Sequence, residues 1–325
     1  MAIIDFKATK CKHCYKCVRN CEVKAIMIKD ERAEIMPDKC ILCGKCMQVC
    51  PQSAKTLVSD LNTVKGYIAN HIPTVVSIAP SYMGLLKYKT IGQINAALRK
   101  LGFADVRETS EGAAMVTAEY ARLLEEGEME TIITTCCPSV NDLIEIYYPQ
   151  LVPYMAPVVS PMIAHGKMLK EELGKNVKVV FLGPCIAKKS EALDLNVKDN
   201  ADYVLNLEEV NAMMKAKGVE LEPEPNGYQE SSVFGKRFGN GGGVTNAVLE
   251  CMQEAGENTD GIKVAKCNGA VECKKALLML RVGKLPEDFV EGMACVGGCV
   301  GGPSRHKTEV EASSLDGSSA APSHF

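Results

Sequence analysis

The sequence predicts an α/β protein with a small cysteine-rich module at its N-terminal end. Three observations predict it. From residue 74 onward, apolar runs of strand character alternate with amphipathic stretches, the pattern of parallel sheets crossed by helices. Eight of the sixteen cysteines fall within residues 11–50. The 325 residues, 46% of them hydrophobic, are enough to bury a core and to form two or three domains.

The elements follow in order. Residues 56–72 have helical apolar spacing and read as a connector. TVVSIAP at 74–80 reads as a buried strand, and 91–101 as a helix with Ile91, Ile94, Ala97, Leu98 and Leu101 on one face. A strand is expected over 130–135 and a helix over 139–148. Residues 160–174 carry Ser160 as N-cap, Pro161 inside it and Gly174 as the stop. Strands at 177–183 and 202–207, a helix near 208–217 and a loop-rich stretch over 219–242 come next. A helix near 244–255, a strand at 261–265, a helix near 273–282 and a strand near 288–293 complete the α/β pattern. The Ser/Ala/Gly-rich stretch 308–325 reads as disordered or appended sequence. The acidic run 123–130 reads as a solvated helix end.

Charge narrows the function. A formal net charge of -3 supplies no basic field for nucleic acid or an anionic membrane. No apolar run reaches the roughly 18–20 residues that span a bilayer, and MAIIDFKATK lacks a secretory apolar core. A cytoplasmic protein is expected. In that compartment clustered cysteines are ligands or catalytic groups rather than disulfides.

The first eight cysteines form a repeat. C-x2-C-x2-C-x3-C occurs at Cys11, Cys14, Cys17 and Cys21, and again at Cys40, Cys43, Cys46 and Cys50. This is the two-cluster ferredoxin spacing, in which the fourth cysteine of each run reaches the other cluster. Cys11, Cys14, Cys17 and Cys50 are therefore expected to hold one [4Fe–4S] cluster, and Cys40, Cys43, Cys46 and Cys21 the second. Zinc knuckles use cysteine pairs with longer gaps and fit less well. Pro51 follows the second run, whereas Glu22 follows the first. Such a module passes electrons singly.

Five more cysteines sit in three Gly/Pro-containing segments: TTCCP at 134–138, GPCIAKKSE at 183–191 and EGMACVGGCVGGP at 291–303. The first two follow apolar strands, and sites in α/β sheets gather beyond strand carboxyl ends. Four thiolates from these loops would hold a third iron–sulfur cluster.

These segments resemble, in order and separation, the three signatures of the [FeFe]-hydrogenases: TSCCP, PCxxKxxE and ExMxCxGGCxxGG. The resemblance implies a ferredoxin-like α+β module over 1–58, a two-lobed α/β hydrogenase domain over 59–307 and a tail over 308–325. It implies that Cys137, Cys185, Cys295 and Cys299 hold the cubane of an H-cluster. Cys299 would also bridge to a two-iron subsite carrying CO, cyanide and a dithiolate amine. Lys188 would face one cyanide, and Ala79, Pro80 and Ser81 the other. Met293 would pack beside the two-iron unit, and Gly242 belongs to the glycine-rich loop FGNGGGV at 238–244 near the cofactor. Glu191 reads as a structural partner near Lys188. Cys136 matches the family's non-ligating proton relay; its other reading is an inert buried thiol. H2 and protons, a ferredoxin-like electron carrier and hydrogenase maturation proteins are the implied partners.

The sequence also departs from the family. The usual proton route runs over two glutamates before the first segment and a serine after it. Here Met115 or Val116, Ala118 or Glu119, and Ala156 fall nearest, with Glu125 and Glu126 as substitutes. Met162, Gly183, Thr135 and Pro303 stand where Gln, Met, Ser and Gly are usual. Cys251, Cys267 and Cys273 show no ligand spacing and read as small hydrophobes. His13 and His306 read as loop residues. Three functions follow: reversible H2 oxidation, a slow H2 sensor, or an iron–sulfur assembly scaffold. Retention of Cys136, Lys188 and Met293 argues against the scaffold, which needs no cyanide contacts.

Overall fold

The computed structural model describes residues 3–82, 91–220 and 233–304. His306 and the stretch 308–325 lie outside them. The N-terminal module pairs β1 (Ile4–Phe6) antiparallel with β4 (Lys55–Leu57), and β2 (Ile26–Lys29) with β3 (Arg32–Ile35). Residues 56 and 57, read as connector, thus belong to the module's closing strand, and the connecting helix is Leu61–Ala69. A core of Ile26, Ala33 and Cys46 is small for a folded unit, and modules of this size ordinarily need a metal or cross-link to stand.

The sequence repeat is also a backbone repeat. His13 and Leu42, Tyr15 and Gly44, and Lys24 and Ser53 all have positive φ, each pair 29 residues apart. The N–H of Ala25 donates to Cys21 Sγ at 3.2 Å and that of Ala54 to Cys50 Sγ at 3.3 Å, at the same offset. Left-handed residues between helical ones turn successive amides toward one point, a geometry that favours anions.

Beyond the module lie two parallel sheets, hence two lobes. One has the order β6-β5-β8-β9, from β5 (Thr74–Ile78), β6 (Asp105–Glu108), β8 (Lys178–Leu182) and β9 (Tyr203–Leu205). The other has the order β10-β11-β7, from β7 (Ile132–Ile133), β10 (Val264–Asn268) and β11 (Phe289–Met293). The first is packed through Val76, Ile78, Leu98, Val180 and Leu205, and the second through Ile133, Val140, Leu143 and Val290. The helix Ser110–Glu126 lies against Pro161–Leu173; a Cβ at Gly112 would sit 2.4 Å from the Pro161 carbonyl oxygen, so only glycine admits that approach.

Most predicted elements are found within a few residues of their expected bounds. The strand read at 261–265 lies at Val264–Asn268, and the helix read from 273 begins at Ala270. β6, the helix Ser110–Glu126 ahead of its acidic end, and the short helix Val233–Arg237, inside the stretch read as loop, have no counterpart in the sequence reading. The alternation Asp105-Val106-Arg107-Glu108 is too polar to read as a strand, yet β6 is an edge strand in register with β5. The acidic run does close a helix, which ends at Glu126 with Gly127 left-handed.

Candidate iron–sulfur centres and their surroundings

Each half of the repeat contributes to two pockets. Cys11, Cys14, Cys17 and Cys50 line one of about 390 Å³, and Cys21, Cys40, Cys43 and Cys46 line another of about 340 Å³. The fourth cysteine of each run therefore faces the other run's three. Among the described residues, no three His, Cys, Asp or Glu side chains converge as one bound ion requires; the sulfurs surround a space rather than a point. Four thiols with backbone amides turned toward them are the donor set a [4Fe–4S] cubane takes.

The third set lies beyond three strand ends. Cys137 follows β7 and starts the helix Pro138–Tyr147, Cys185 follows β8 and precedes Ala187–Glu191, and Cys295 and Cys299 follow β11. Burial pushes the Cys185 thiol up to about 11, with Cys137 next in effect. Burial, then Cys185 and Cys137, also raise Cys295 and Cys299. Four neighbouring thiols in a dry pocket ionise only when positive charge is supplied, which bound iron does. Amides of Ala294, Val140 and Ser139 face Cys137, and those of Lys188 and Ala187 face Cys185.

The inner module pocket adjoins this set. Cys43 is near enough to Cys137 and Cys295 to raise their common electrostatic cost. Hydrogen bonds hold the two parts together: Gln48 Nε2 to the Gly301 carbonyl at 3.1 Å, Lys274 Nζ to that of Glu22 at 2.8 Å, and Tyr147 Oη to that of Lys39 at 2.7 Å. Pro303 seats on Gly44, where any Cβ would lie 2.4 Å from its ring.

Around the third set stand polar groups with restricted partners. Lys188 is buried and donates to the Cys136 carbonyl at 3.2 Å and to Glu191 Oε2 at 2.6 Å. Burial alone would lower its pKa, but Glu191, with Cys185 and Cys136, raises it, so the ammonium stays charged. Ser81, beyond β5 with Ala79 and Pro80, is 2% exposed and its Oγ has no hydrogen-bond partner among the described residues. A buried hydroxyl without a partner suits a ligand that accepts from it. The Gly239 position of the glycine-rich loop faces Ser81, at 3.5 Å from its N for a Cβ built there. Gly242 is left-handed and donates its N–H to Glu291 Oε1 at 2.8 Å. Met293 ends β11, buried beside Phe238.

Known proteins agree with this arrangement. Residues 72–303 match the family described as iron-only hydrogenase large subunit, C-terminal domain. The chain belongs to the iron-only hydrogenase family. Residues 10–54 match the 4Fe-4S dicluster domain, so iron–sulfur clusters are part of this hydrogenase-family chain. It is 33% identical to the periplasmic [Fe] hydrogenase large subunit of Nitratidesulfovibrio vulgaris over 66% of this chain and 62% of that one. It is 28% identical to iron hydrogenase 1 of Clostridium pasteurianum over 92% of this chain and 73% of that one. A probable cytosolic Fe-S cluster assembly factor of Brugia malayi is 23% identical over 84% of this chain and 72% of its own. The chain thus spans less than two thirds of the length of the periplasmic relative. In fold it is similar to an apo [FeFe]-hydrogenase of Chlamydomonas reinhardtii, with a TM-score of 0.63 at 22% identity over 78% of this chain and 86% of that one. Among the described residues no helix is long and apolar enough to cross a membrane.

The hydrogenase fold clarifies the departures. Glu119 and Glu126 are not turned inward: they form surface ion pairs with Arg122, and Glu125 is exposed. Among the inward residues of that helix is Tyr120, fully buried, with its Oη 3.3 Å from Cys136 Sγ. Burial pushes the Cys136 thiol up to about 12 against the opposing effect of Tyr120. Met162 packs in one core with Ala79 and Phe181, and the Phe181 ring would meet a Cβ at Gly183 at 2.7 Å. Glu291 opens the third motif, has 0% exposure, and accepts from Gly242 N, Thr245 N and Thr245 Oγ1, each at 2.8 Å. Its glycine-loop anchoring was not read from the sequence, although its place at the head of the motif was the available signal. Cys267 and Cys273 are buried and Cys251 half-buried, each a free thiol. His13 is exposed.

Proposed function

We propose that this chain catalyses the reversible oxidation of H2 to two protons and two electrons, with residues 1–58 as the electron-transfer module and 59–307 as the catalytic domain. The observation that carries the reading is the buried Lys188 ammonium, tied to Glu191 and the Cys136 carbonyl beside four cysteines from three motifs. The neighbouring Lys189 is also buried, on Asp60 and the Val204 carbonyl, but Lys188 is the one set against Cys136 and Cys185, where a cation suits an anionic ligand.

Cys137, Cys185, Cys295 and Cys299 would hold the H-cluster, with Cys299 also reaching the two-iron subsite. When bound, that group supplies H2 binding and heterolytic cleavage. The chain's own residues orient it and move charge. Lys188 and Ser81 would donate to its anionic ligands, with Ala79, Pro80 and Gly242 shaping the pocket and Met293 excluding water. Cys136 would hold a proton for the subsite, and Tyr120 holds Cys136. Electrons leave through the two [4Fe–4S] clusters toward a ferredoxin-like carrier, and loading the subsite requires maturation proteins. The cytoplasm suits sixteen cysteines with no disulfide among them, although one relative is periplasmic by name.

A second reading is a slow H2-sensing hydrogenase. It draws on the surface placement of Glu119, Glu125 and Glu126, which leaves no carboxylate from that helix beside Cys136. Infrared spectroscopy of the matured, oxygen-free protein, with H2 evolution measured on the same sample, separates the readings. CO and cyanide bands with turnover support the enzyme, bands with negligible turnover the sensor. No bands after addition of a synthetic two-iron precursor would reject both and leave a scaffold.

A further inference from the structure

The charge of this chain is divided unevenly. Residues 1–55 carry eleven Lys and Arg against six Asp and Glu, a formal +5, although the whole chain is -3, so the remainder is -8. The overall charge hides a basic module on an acidic body.

The excess is concentrated at one pocket. The outer cysteine pocket is lined by Lys12, His13, Lys16 and Lys55, and by no carboxylate. Lys55 is buried there, with Nζ donating to the Ala33 carbonyl at 3.0 Å and lying over the Phe6 ring. Lys12 and Lys16 are exposed, as are Lys7, Lys10 and Arg19 nearby. None of these five forms an ion pair among the described residues, where the arginines and lysines of the body often do. The Asp30–Glu31 turn is tied to the first run through Tyr15 Oη, which donates to the Glu31 carbonyl at 3.1 Å, but it lines neither pocket. At the centre of this rim is Cys14, the one exposed cysteine of the sixteen.

We propose that this lysine rim is the docking surface for an acidic one-electron carrier protein, which approaches the outer cluster at Cys14. The inference rests on the electron-transfer role proposed above and deepens it by specifying the partner's charge and its landing site. A cationic rim around the most exposed redox edge raises the encounter rate with an anionic partner and orients it. The acidic body repels the same partner elsewhere, so the two charges of the chain act together as an orienting dipole. In the exchange the carrier loses one electron and the chain gains one, or the reverse, and no bond is made or broken. A polyanion such as nucleic acid would meet the same rim, but it makes no use of an exposed thiolate edge and is repelled by the rest of the surface.

The test uses the full-length, cluster-loaded protein without air. Binding of an acidic [4Fe–4S] ferredoxin is followed by calorimetry, and electron exchange by stopped-flow absorbance. The dissociation constant is expected to weaken about ten-fold or more between roughly 0.05 and 0.3 M salt. The double charge reversal Lys12→Glu with Lys16→Glu should weaken it by about ten-fold at low salt, with both clusters still visible by electron paramagnetic resonance. The same change of net charge on the body, Lys167→Glu with Lys284→Glu, should leave it within about two-fold. Salt-independent binding by the unaltered protein, a preference for a basic cytochrome c, or tighter binding of a DNA oligonucleotide would overturn the proposal. Ferredoxin binding without H-cluster infrared bands would sink the hydrogenase reading alone; bands without ferredoxin binding would sink the docking surface alone.

Discussion

The hydroxyl of Tyr120 lies 3.3 Å from the sulfur of Cys136 and accepts the Thr135 N–H at 2.8 Å. Thr135 Oγ1 in turn donates to the Val158 carbonyl at 2.5 Å. The thiol is thus held by a residue of the helix whose Glu119, Glu125 and Glu126 lie at the surface. Tyr120→Phe removes the hydroxyl and strands the Thr135 N–H, so a destabilisation of about 1–3 kcal/mol is expected. Hydrogen evolution should fall on the order of ten-fold, and the Cys136 S–H stretching band should move in the infrared. An unmoved band with unchanged turnover would show that the tyrosine only fills space.

Lys188 and Glu191 form a buried pair, and removing one partner leaves an uncompensated charge. Lys188→Met should cost about 3–5 kcal/mol in an anaerobic denaturation experiment. Adding Glu191→Gln should restore most of that stability without restoring turnover. Recovery of turnover in the double variant would mean that the cation has no task beyond neutralising Glu191.

His165 offers a pH test away from the cysteines. Its Nδ1 is 2.8 Å from Ser77 Oγ, and its Nε2 is buried without a partner among the described residues. Burial, with Arg107 adding to it, lowers its pKa to about 3. The folded chain keeps the imidazole neutral, while the unfolded chain binds a proton below about 6.5. This group therefore leaves stability unchanged above that pH. Below it, stability falls by up to about 1.4 kcal/mol per pH unit, levelling near pH 3. His165→Gln should flatten that part of the profile; equal slopes in both proteins from pH 6 to 4 would assign the titration elsewhere.

Gly44 has φ +72 and lies under Pro303. Gly44→Ala meets both a left-handed backbone, costing about 1–2 kcal/mol, and the proline ring. Adding Pro303→Gly should relieve the second cost and not the first. Equal denaturation midpoints for the single and double variants would mean that the contact between module and body is slack.

The pockets predict iron counts. Cys17→Ala should lose about four iron atoms per chain while cyanide bands persist in the matured protein. Cys299→Ala should lose the bands and keep the module's iron. An intact two-iron unit in Cys299→Ala would reject its assignment as a bridging ligand.

Much of this was legible in the chain because the information is local. Cysteine spacing depends on a few consecutive residues, and so does the apolar period of TVVSIAP or of residues 91–101. The alternation of strands and helices then implied parallel sheets, and strand ends located the motifs. The proton surroundings were less legible. The expected substitutes Glu119, Glu125 and Glu126 share a helix with Tyr120, but only its packing against Phe289 and the neighbouring core turns Tyr120 inward and leaves the acids outside. β6 was missed because it is polar and acquires its conformation from pairing with β5.

By itself, the sequence determined the two cysteine runs, the three motifs, the α/β class and the family, since each is a matter of order and spacing along one strand of covalent chain. Tertiary structure alone decided that Cys43 would lie beside Cys137, that Gly44 would carry Pro303, that Tyr120 rather than a glutamate would hold Cys136, and that Lys55 would line the same pocket as Cys14. These are relations between residues distant in sequence or between opposite faces of one element. They depend on burial and close packing, which spacing does not encode.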